Sequence, residues 1–290
     1  MKENSMDTAF NTAEPDRAAS LLVVTPTLGQ SPFLNRTVEG ILALPVPFIH
    51  VMVCPAQVVE SLAARFPHAT VLADAGREAG LYGAINAALA AVDEDWGWFT
   101  YINDDDELGP DFGQMARRHF AARRPEPVVY GKVRLIDEQN GTIGFVTLER
   151  VSASIPAVLR AGISPLNQQG MLFHRDVVRE LGRFDTKYRI CADLDFWARA
   201  FAAGHAFRYY PEEVGRFRIR SGQISGDVNL TRREQDEIAR RLFPKAGGAL
   251  NSFMATWRFR LCNLPHYLAR SRTFGWVSSY QILSHGGRPV

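Results

Sequence analysis

The hydrophobic pattern of the first hundred residues alternates between short apolar runs and longer amphipathic stretches. Leu21-Leu22-Val23-Val24 contains no polar position, as a strand buried on both faces requires. Thr25-Pro26-Thr27-Leu28-Gly29 ends it, and the spacing predicts a helix over 31–44 with Ser31 as N-cap and Pro32 at its first position. Further strands are predicted over 48–53, stopped by Cys54-Pro55, and over 70–72, ending at Asp74-Ala75-Gly76. Helices are predicted over 57–66 and 81–92. Next comes Trp98-Phe99-Thr100-Tyr101-Ile102, uncharged, aromatic and β-branched, followed by Asn103-Asp104-Asp105-Asp106-Glu107 and the chain break Leu108-Gly109-Pro110. This β-α-β-α-β-α-β order implies a parallel sheet with right-handed crossovers.

The second half reads as more antiparallel. Val128–Ile136 and 142–148 flank Asn140-Gly141, a hairpin signal. A helix over 152–160 precedes the amide-rich loop Ser164-Pro165-Leu166-Asn167-Gln168-Gln169-Gly170 and the strand Met171-Leu172-Phe173. A helix over 175–181 ends at Gly182. Leu194, Trp197, Ala198 and Phe201 fall at helical spacing. Asp193 then sits in a first turn, where the helix dipole favours a carboxylate, and Asp195 can pair with Arg199 one turn on. Strands are predicted over 205–210 and again from Arg216, where Arg218 and Arg220 alternate with Phe217 and Ile219 before Ser221-Gly222. In the tail, Leu250, Phe253, Met254, Trp257, Leu261 and Leu264 form one helical stripe that Pro265 ends.

Composition narrows the class. The 290 residues are 46% hydrophobic and 22% charged, ordinary for a globular protein. A formal charge of +2 without a basic, aromatic-interleaved stripe in the first 240 residues gives no reason to expect nucleic acid. Cys54, Cys191 and Cys262 are far apart, with neither metal nor disulfide spacing, which fits a reducing compartment. Residues 1–18 are polar and lack the apolar core of a signal peptide, so a flexible segment is expected there. No apolar run approaches the roughly 18 residues of a spanning helix.

Charge then locates candidate chemistry. Four consecutive acids at the C-terminal edge of a parallel strand stand where ligands bind in open α/β sheets. Crowded carboxylates repel unless a cation compensates, and Mg²⁺ or Mn²⁺ takes carboxylate and phosphate oxygens together. No P-loop or Gly-x-Gly-x-x-Gly fingerprint follows any strand, so a metal at Asp104–Asp106 is the available means of holding a diphosphate. An acidic solvated turn is the competing reading. Asn86, one turn into its helix, can donate to a sugar hydroxyl or simply face solvent. Asp193 is either a general base on a rigid helix start or a capping residue. The Arg218–Arg220 face either reaches a diphosphate or guards an edge strand.

Together these stretches resemble the inverting family 2 glycosyltransferases of the GT-A fold. The resemblance rests on Thr25-Pro26-Thr27, Gly80-Leu81-Tyr82-x-Ala84-Ile85-Asn86, Asn103-Asp104-Asp105-Asp106, Gln169-x-x-x-Phe173-x-Arg175, Gly182-Arg183-Phe184-Asp185 and Ala192-Asp193-x-Asp195-Phe196-Trp197-x-Arg199, and spans roughly residues 20–226. It implies a mixed α/β sheet flanked by helices over 19–243 and a helical extension over 244–290. It further implies sugar transfer from a nucleotide-diphosphate sugar to a saccharide or lipid-linked acceptor hydroxyl, with inversion and a divalent metal, Mg²⁺ or Mn²⁺. The implied roles are Asp193 as base; Asp105 and Asp106 at the metal; Thr25, Pro26, Thr27, Tyr82, Asn86, Asn103, Asp104 and Arg220 at the donor; and Gln168, Gln169, Asp195 and Trp197 at the acceptor.

Three departures leave the nucleotide base open. Cys54-Pro55 stands where an acid is usual, Gly83 where an Asp is usual, and the His often found near Arg220 is absent. Two rival classes are a nucleotidyltransferase and a non-catalytic sugar-binding module. Thr25 to Gln30 lacks the Lys or Arg of a nucleotidyl-transfer loop, and both acid centres are retained. From Pro244 to Val290 there is no Asp or Glu but six Lys and Arg. That tail either lies on an anionic membrane or packs on the catalytic domain, so the expected location is cytoplasmic, peripheral at the inner face in the first case. Polysaccharide and cell-envelope synthesis is the process such a transferase would serve.

Overall fold

The computed structural model describes residues 20–74, 80–92, 96–220, 223–246 and 248–275. The expected segment 1–18, the turn residues Ala75 and Gly76, Ser221-Gly222 and the last part of the extension, 276–290, lie outside the described residues.

In chain order the elements are β1 (Leu21–Pro26), α1 (Leu34–Leu42), β2 (Phe48–Cys54), α2 (Val59–Arg65), β3 (Thr70–Ala73), α3 (Gly80–Ala91), β4 (Trp98–Tyr101), β5 (Glu107–Leu108) and α4 (Phe112–Phe120). There follow β6 (Val128–Ile136), β7 (Thr142–Phe145), α5 (Ile155–Arg160), β8 (Leu172–His174), α6 (Arg175–Leu181), α7 (Ala192–Ala202), β9 (Phe207–Arg218), α8 (Val228–Leu242), α9 (Ala249–Cys262) and α10 (Leu264–Phe274). Nine strands form one sheet in the order β3-β2-β1-β4-β8-β6-β9-β5, with β7 paired to β6. β1 to β4 are mutually parallel, β8 runs antiparallel to both β4 and β6, and β9 runs parallel to β6.

The apolar run in β1 has the cause expected of it. Leu22 and Val24 face one layer, where α3, α6, α7 and α8 contribute Ile85, Val177, Phe196 and Ile238. Leu21 and Val23 face the other, against Ile41 of α1 and Phe112, Met115 and Ala116 of α4. Both faces of the strand are covered, so alternation would bury polar groups without partners.

Several boundaries differ from the sequence expectation. Ser31 does not cap α1: its Oγ accepts from Phe33 N and donates to the Asp104 carbonyl at 2.7 Å, and the helix starts at Leu34. α4 and α8 were not predicted. The stretches expected as strands over 205–210 and from Arg216 are one twelve-residue strand, β9. Its register against β6 slips at Gly131–Val133, and this bulge absorbs Pro211, which cannot donate to a ladder. Nor does β9 lie on an edge, since β5 pairs with it outside. Pro265 does not end a helix either; it stands in the first turn of α10, where its missing N–H costs nothing.

One close approach shapes the region around the acid turn. Gly170 has φ +77°, and a Cβ there would lie 2.4 Å from the Val214 carbonyl oxygen. Across the same contact, a Cβ on Gly215 would lie 2.5 Å from the Gln169 oxygen. Bare backbone on both sides therefore lets the 167–170 loop cross β9. Gly170→Ala adds a methyl to an occupied space and an unfavourable φ, and is expected to lower unfolding free energy by about 2 kcal/mol or more. Urea denaturation measures this; a loss under about 0.5 kcal/mol would show that the two backbones separate freely.

Candidate active site

The acid turn is clamped by the residue that follows β1 and by α1. Thr27 Oγ1 donates to Asp104 Oδ2 at 2.5 Å and accepts from Gly29 N. Thr37 Oγ1, on α1, donates to the Asp106 carbonyl at 2.7 Å. The three acids thereby receive different surroundings. Asp104 is partly exposed, and burial pushes its carboxyl up to about 6 against the opposing hydrogen bond from Thr27. Asp106 is fully buried and accepts from Gln169 Nε2 at 2.6 Å, Arg218 N at 2.8 Å and Asn103 Nδ2 at 3.3 Å. Burial, then the Asp105 charge, holds it well above the usual carboxylate range. Asp105 is 6% exposed, and its Oδ2 accepts from Arg220 Nε at 2.6 Å.

β9 and the two residues after it supply the compensating charge. Arg216, Arg218 and Arg220 alternate, so they share one side of an extended chain. Arg216 pairs with Glu107 at 3.2 Å and Glu213 at 2.9 Å. Arg218 has no exposed side chain: Nε donates to the Asp105 carbonyl, Nη2 to Glu107 Oε1, and Nη1 to the Asp137 carbonyl and Asn140 Oδ1. Its guanidinium lies 4.2 Å from the centre of the Phe33 ring. Arg218 is therefore a strut inside the turn, and neither a phosphate contact nor a solvated edge charge.

The donor set suits a hard cation in part. It is all oxygen, and Asn103 Oδ1 is buried without a hydrogen-bond partner. Among the described residues no three His, Cys, Asp or Glu gather as a complete metal cage. One or two carboxylates with the remaining positions left to phosphate and water is the arrangement Mg²⁺ commonly takes, so the residues present fit such an ion. In this structure the cation on Asp105 is the Arg220 guanidinium.

Asp193 stands in the first turn of α7. Its Oδ1 accepts from Leu194 N at 2.7 Å and lies 3.2 Å from the Tyr82 hydroxyl. That hydroxyl also donates to the Ile190 carbonyl at 2.6 Å, so its single proton serves two acceptors. Burial pushes the Asp193 carboxyl up to about 6, against the bonds from Leu194 N and Tyr82. Between Asp193 and the acid turn stands Tyr101, at the end of β4. Burial raises its phenol well above the usual range, and the charges of Asp193 and Asp106 raise it further. Both acid centres thus lie within electrostatic reach of one tyrosine.

Glu234 escaped the sequence reading. It is buried on α8 and accepts from Arg189 N, Ile190 N and Cys191 N at 2.8 to 2.9 Å. This fixes the chain that enters α7, and hence Asp193. The available signal was Asp227 as N-cap, donated to by Leu230 N, with Leu230, Glu234 and Ile238 spaced one turn apart.

Several residues expected to face ligands are placed inside the protein. Asn86 brackets a peptide instead, with Nδ2 donating to the Phe184 carbonyl and Oδ1 accepting from Phe184 N, both at 2.9 Å. Gln168 Nε2 donates to the Tyr101 carbonyl, and Gln169 Nε2 is taken by Asp106. Asp195 is fully buried between Arg199 and Arg241, the ion-pair alternative for this residue extended by a second arginine. Trp197 is 2% exposed in the core. Thr25 and Pro26 are buried, and Thr25 Oγ1 meets His50 Nε2 at 3.0 Å. Tyr82 is buried beneath Asp193, with no surface for a donor. Burial and committed hydrogen bonds make these residues supports of the site and remove them from its surface. Asn103, Asp104, Asp193 and Arg220 keep partial exposure.

Known proteins share this architecture. The structure of S. aureus TarS 1–349 in complex with UDP-GlcNAc superposes with a TM-score of 0.58 at 12% identity, covering 91% of this chain and 78% of that one. Glucosyl-3-phosphoglycerate synthase from Mycobacterium tuberculosis, crystallised with Mn²⁺, UDP and glucosyl-3-phosphoglycerate, gives 0.53 at 12% identity over 78% and 80%. These likenesses establish the GT-A fold, a mixed α/β sheet flanked by helices. An uncharacterised glycosyltransferase of M. tuberculosis H37Rv is 29% identical over 126 residues, 42% of this chain, and that match spans 45% of the relative's length. The sequence also matches the family described as "Glycosyltransferase like family 2" over residues 18–259. A match across most of the chain, on a GT-A sheet with acids at the tip of β4, makes this protein a member of the family 2-like glycosyltransferases.

Proposed function

We propose that the protein moves a sugar from a nucleotide-diphosphate sugar to an acceptor hydroxyl by single displacement with inversion. The observation that carries this reading is that one buried tyrosine pair links the two acid centres: Tyr101 ends the strand that leads into the acid turn, and the Tyr82 hydroxyl, which interacts with Tyr101, lies 3.2 Å from Asp193. A single carboxylate serving as proton acceptor suits direct attack by the acceptor oxygen. Asp193 takes the proton from that hydroxyl. Its pKa near 6 leaves it ionised at neutral pH yet basic enough to accept a proton.

Asp105, with Asp104 and the Asn103 carbonyl oxygen of its side chain, is the set that would hold Mg²⁺ or Mn²⁺. Such an ion, when bound, offsets charge developing on the departing diphosphate. Asp106 then acts as an internal brace, its oxygens already taken by Gln169, Asn103 and Arg218. Arg220, 37% exposed and paired with Asp105, is released toward the phosphates as the donor enters. TarS was solved with UDP-GlcNAc and a mannosyltransferase from Pyrobaculum calidifontis with GDP-Man and Mn²⁺. These support a nucleotide-sugar donor and a divalent ion here, without choosing the base. A saccharide or lipid-linked acceptor in envelope polysaccharide synthesis, reached from the cytoplasmic side, completes the reading.

Two experiments test it. Asp193→Asn keeps the hydrogen bond with Tyr82 but removes the base, so transfer should fall by about a thousandfold while calorimetric donor binding stays unchanged. In the wild type, the base works only when ionised, so kcat should fall about tenfold per pH unit below an apparent pKa near 6. A flat acid limb, or loss of donor binding in the variant, would remove Asp193 from this role. Asp105→Ala should abolish the Mn²⁺-dependent rise in Tm produced by nucleotide sugars; an unchanged rise would assign the metal elsewhere.

A further inference from the structure

The described residues expose ten large hydrophobic side chains, and seven of them lie on α9 and α10. The helix has two apolar faces. Ala255 and Phe259 point inward and pack with Ala157 and Val158 of α5. Leu250, Phe253, Met254, Trp257 and Leu261 point the other way, each at least 50% exposed. At about 100° per residue these five fall within an arc of roughly 100°, opposite Phe259. Leu264 and Leu268, one turn apart on α10, add to the exposed area. Packing on the domain therefore explains only the inward face.

We propose that the outward face of α9 and α10 docks on an anionic membrane surface. Charge selects this occupant. Lys245, Arg260 and Arg272 are exposed around the stripe, and no Asp or Glu occurs between Pro244 and Val290. A second copy of the chain would set these cations against their own kind. Anionic lipid headgroups would neutralise them while Phe253 and Trp257 enter the interfacial region, as aromatic rings do at a water–acyl boundary. Among the described residues no helix is long and apolar enough to cross a membrane, so the contact is one of lying on the surface. The inference deepens the proposed function, because it places the enzyme where a lipid-linked acceptor would be found, and it rests on that reading for its purpose alone. Vesicle binding needs neither donor nor acceptor, so failure of one idea leaves the other standing.

The test is flotation of the full chain with vesicles of phosphatidylcholine containing about one-third phosphatidylglycerol, against phosphatidylcholine alone. Two double variants accompany it, Phe253→Ser with Trp257→Ser and Arg260→Glu with Arg272→Glu. The wild type should float with the anionic vesicles only. Each double variant should bind them about tenfold or more weakly, with Tm and donor turnover unchanged because the altered side chains are exposed. Equal flotation with both vesicle types, no flotation, or full binding by the serine variant would overturn the proposal. So would a dimer seen by light scattering that the serine variant converts to monomer, since the face would then belong to a second copy.

Discussion

A guanidinium sealed from water holds the acid turn together. Asp104, Asp105, Asp106 and Glu107 are adjacent in sequence, and unit charges about 4 Å apart at an effective dielectric of 20 repel by about 4 kcal/mol. Arg218 meets the turn with its own backbone N–H as well as its side chain, touching Asp105, Asp106 and Glu107 from the middle. Arg216 and Arg220 extend the same cationic edge to either side. Burial of Arg218 is tolerable only because its donors find acceptors, so turn and strand depend on each other.

That dependence explains the rest of the architecture. β9 can reach the turn only by passing close over the 167–170 loop, which the facing glycines permit. The loop in turn places Gln168 on the Tyr101 carbonyl and Gln169 on Asp106. Tyr101 joins this half to Tyr82 and Asp193, while Glu234 fixes the peptides that lead into α7. The two acid centres come from distant parts of the chain, and buried polar contacts carry the spacing between them. Asp105 and the partly exposed Asp104, Asp193 and Arg220 do the proposed chemistry; the amides and tyrosines behind them set its geometry.

Much of the fold was legible because its central strands are unambiguous. β6 has the predicted bounds, and Asn140 takes φ 67° in the turn that the Asn-Gly pair announced. α8 was hidden because its inward face carries Glu234 and Gln235, so it does not read as an apolar stripe. α4 was hidden behind Gly109-Pro110, a break followed at once by a helix. In the site, sequence identified the acid cluster but not its division of labour. Which acid is braced and which is paired depends on Arg218 and Arg220, more than 110 positions away. The resemblance assigns Asn86, Gln168, Gln169 and Trp197 to ligands; polarity does not disclose which backbone groups the amides meet, whereas the helical stripe that holds Trp197 already points it to the core. The Asp195–Arg199 pair was readable from its one-turn spacing.

The attachment of the C-terminal helices has a consequence of its own. Asn263 closes a neutral two-bond ring with Leu148, accepting from its N–H at 3.1 Å and donating to its carbonyl at 3.0 Å. Phe259 seals the same joint from the apolar side, while Arg258 with Glu149, and Arg150 near His266, add charge at its rim. Dipole pairing and apolar burial are nearly indifferent to ionic strength, whereas attraction between scattered surface cations and a charged sheet fades over a Debye length of about 8 Å at physiological salt. Raising the salt would therefore act on what these helices touch outside the protein while leaving their own seat intact, a separation of the two bonds that the placement of one asparagine makes available.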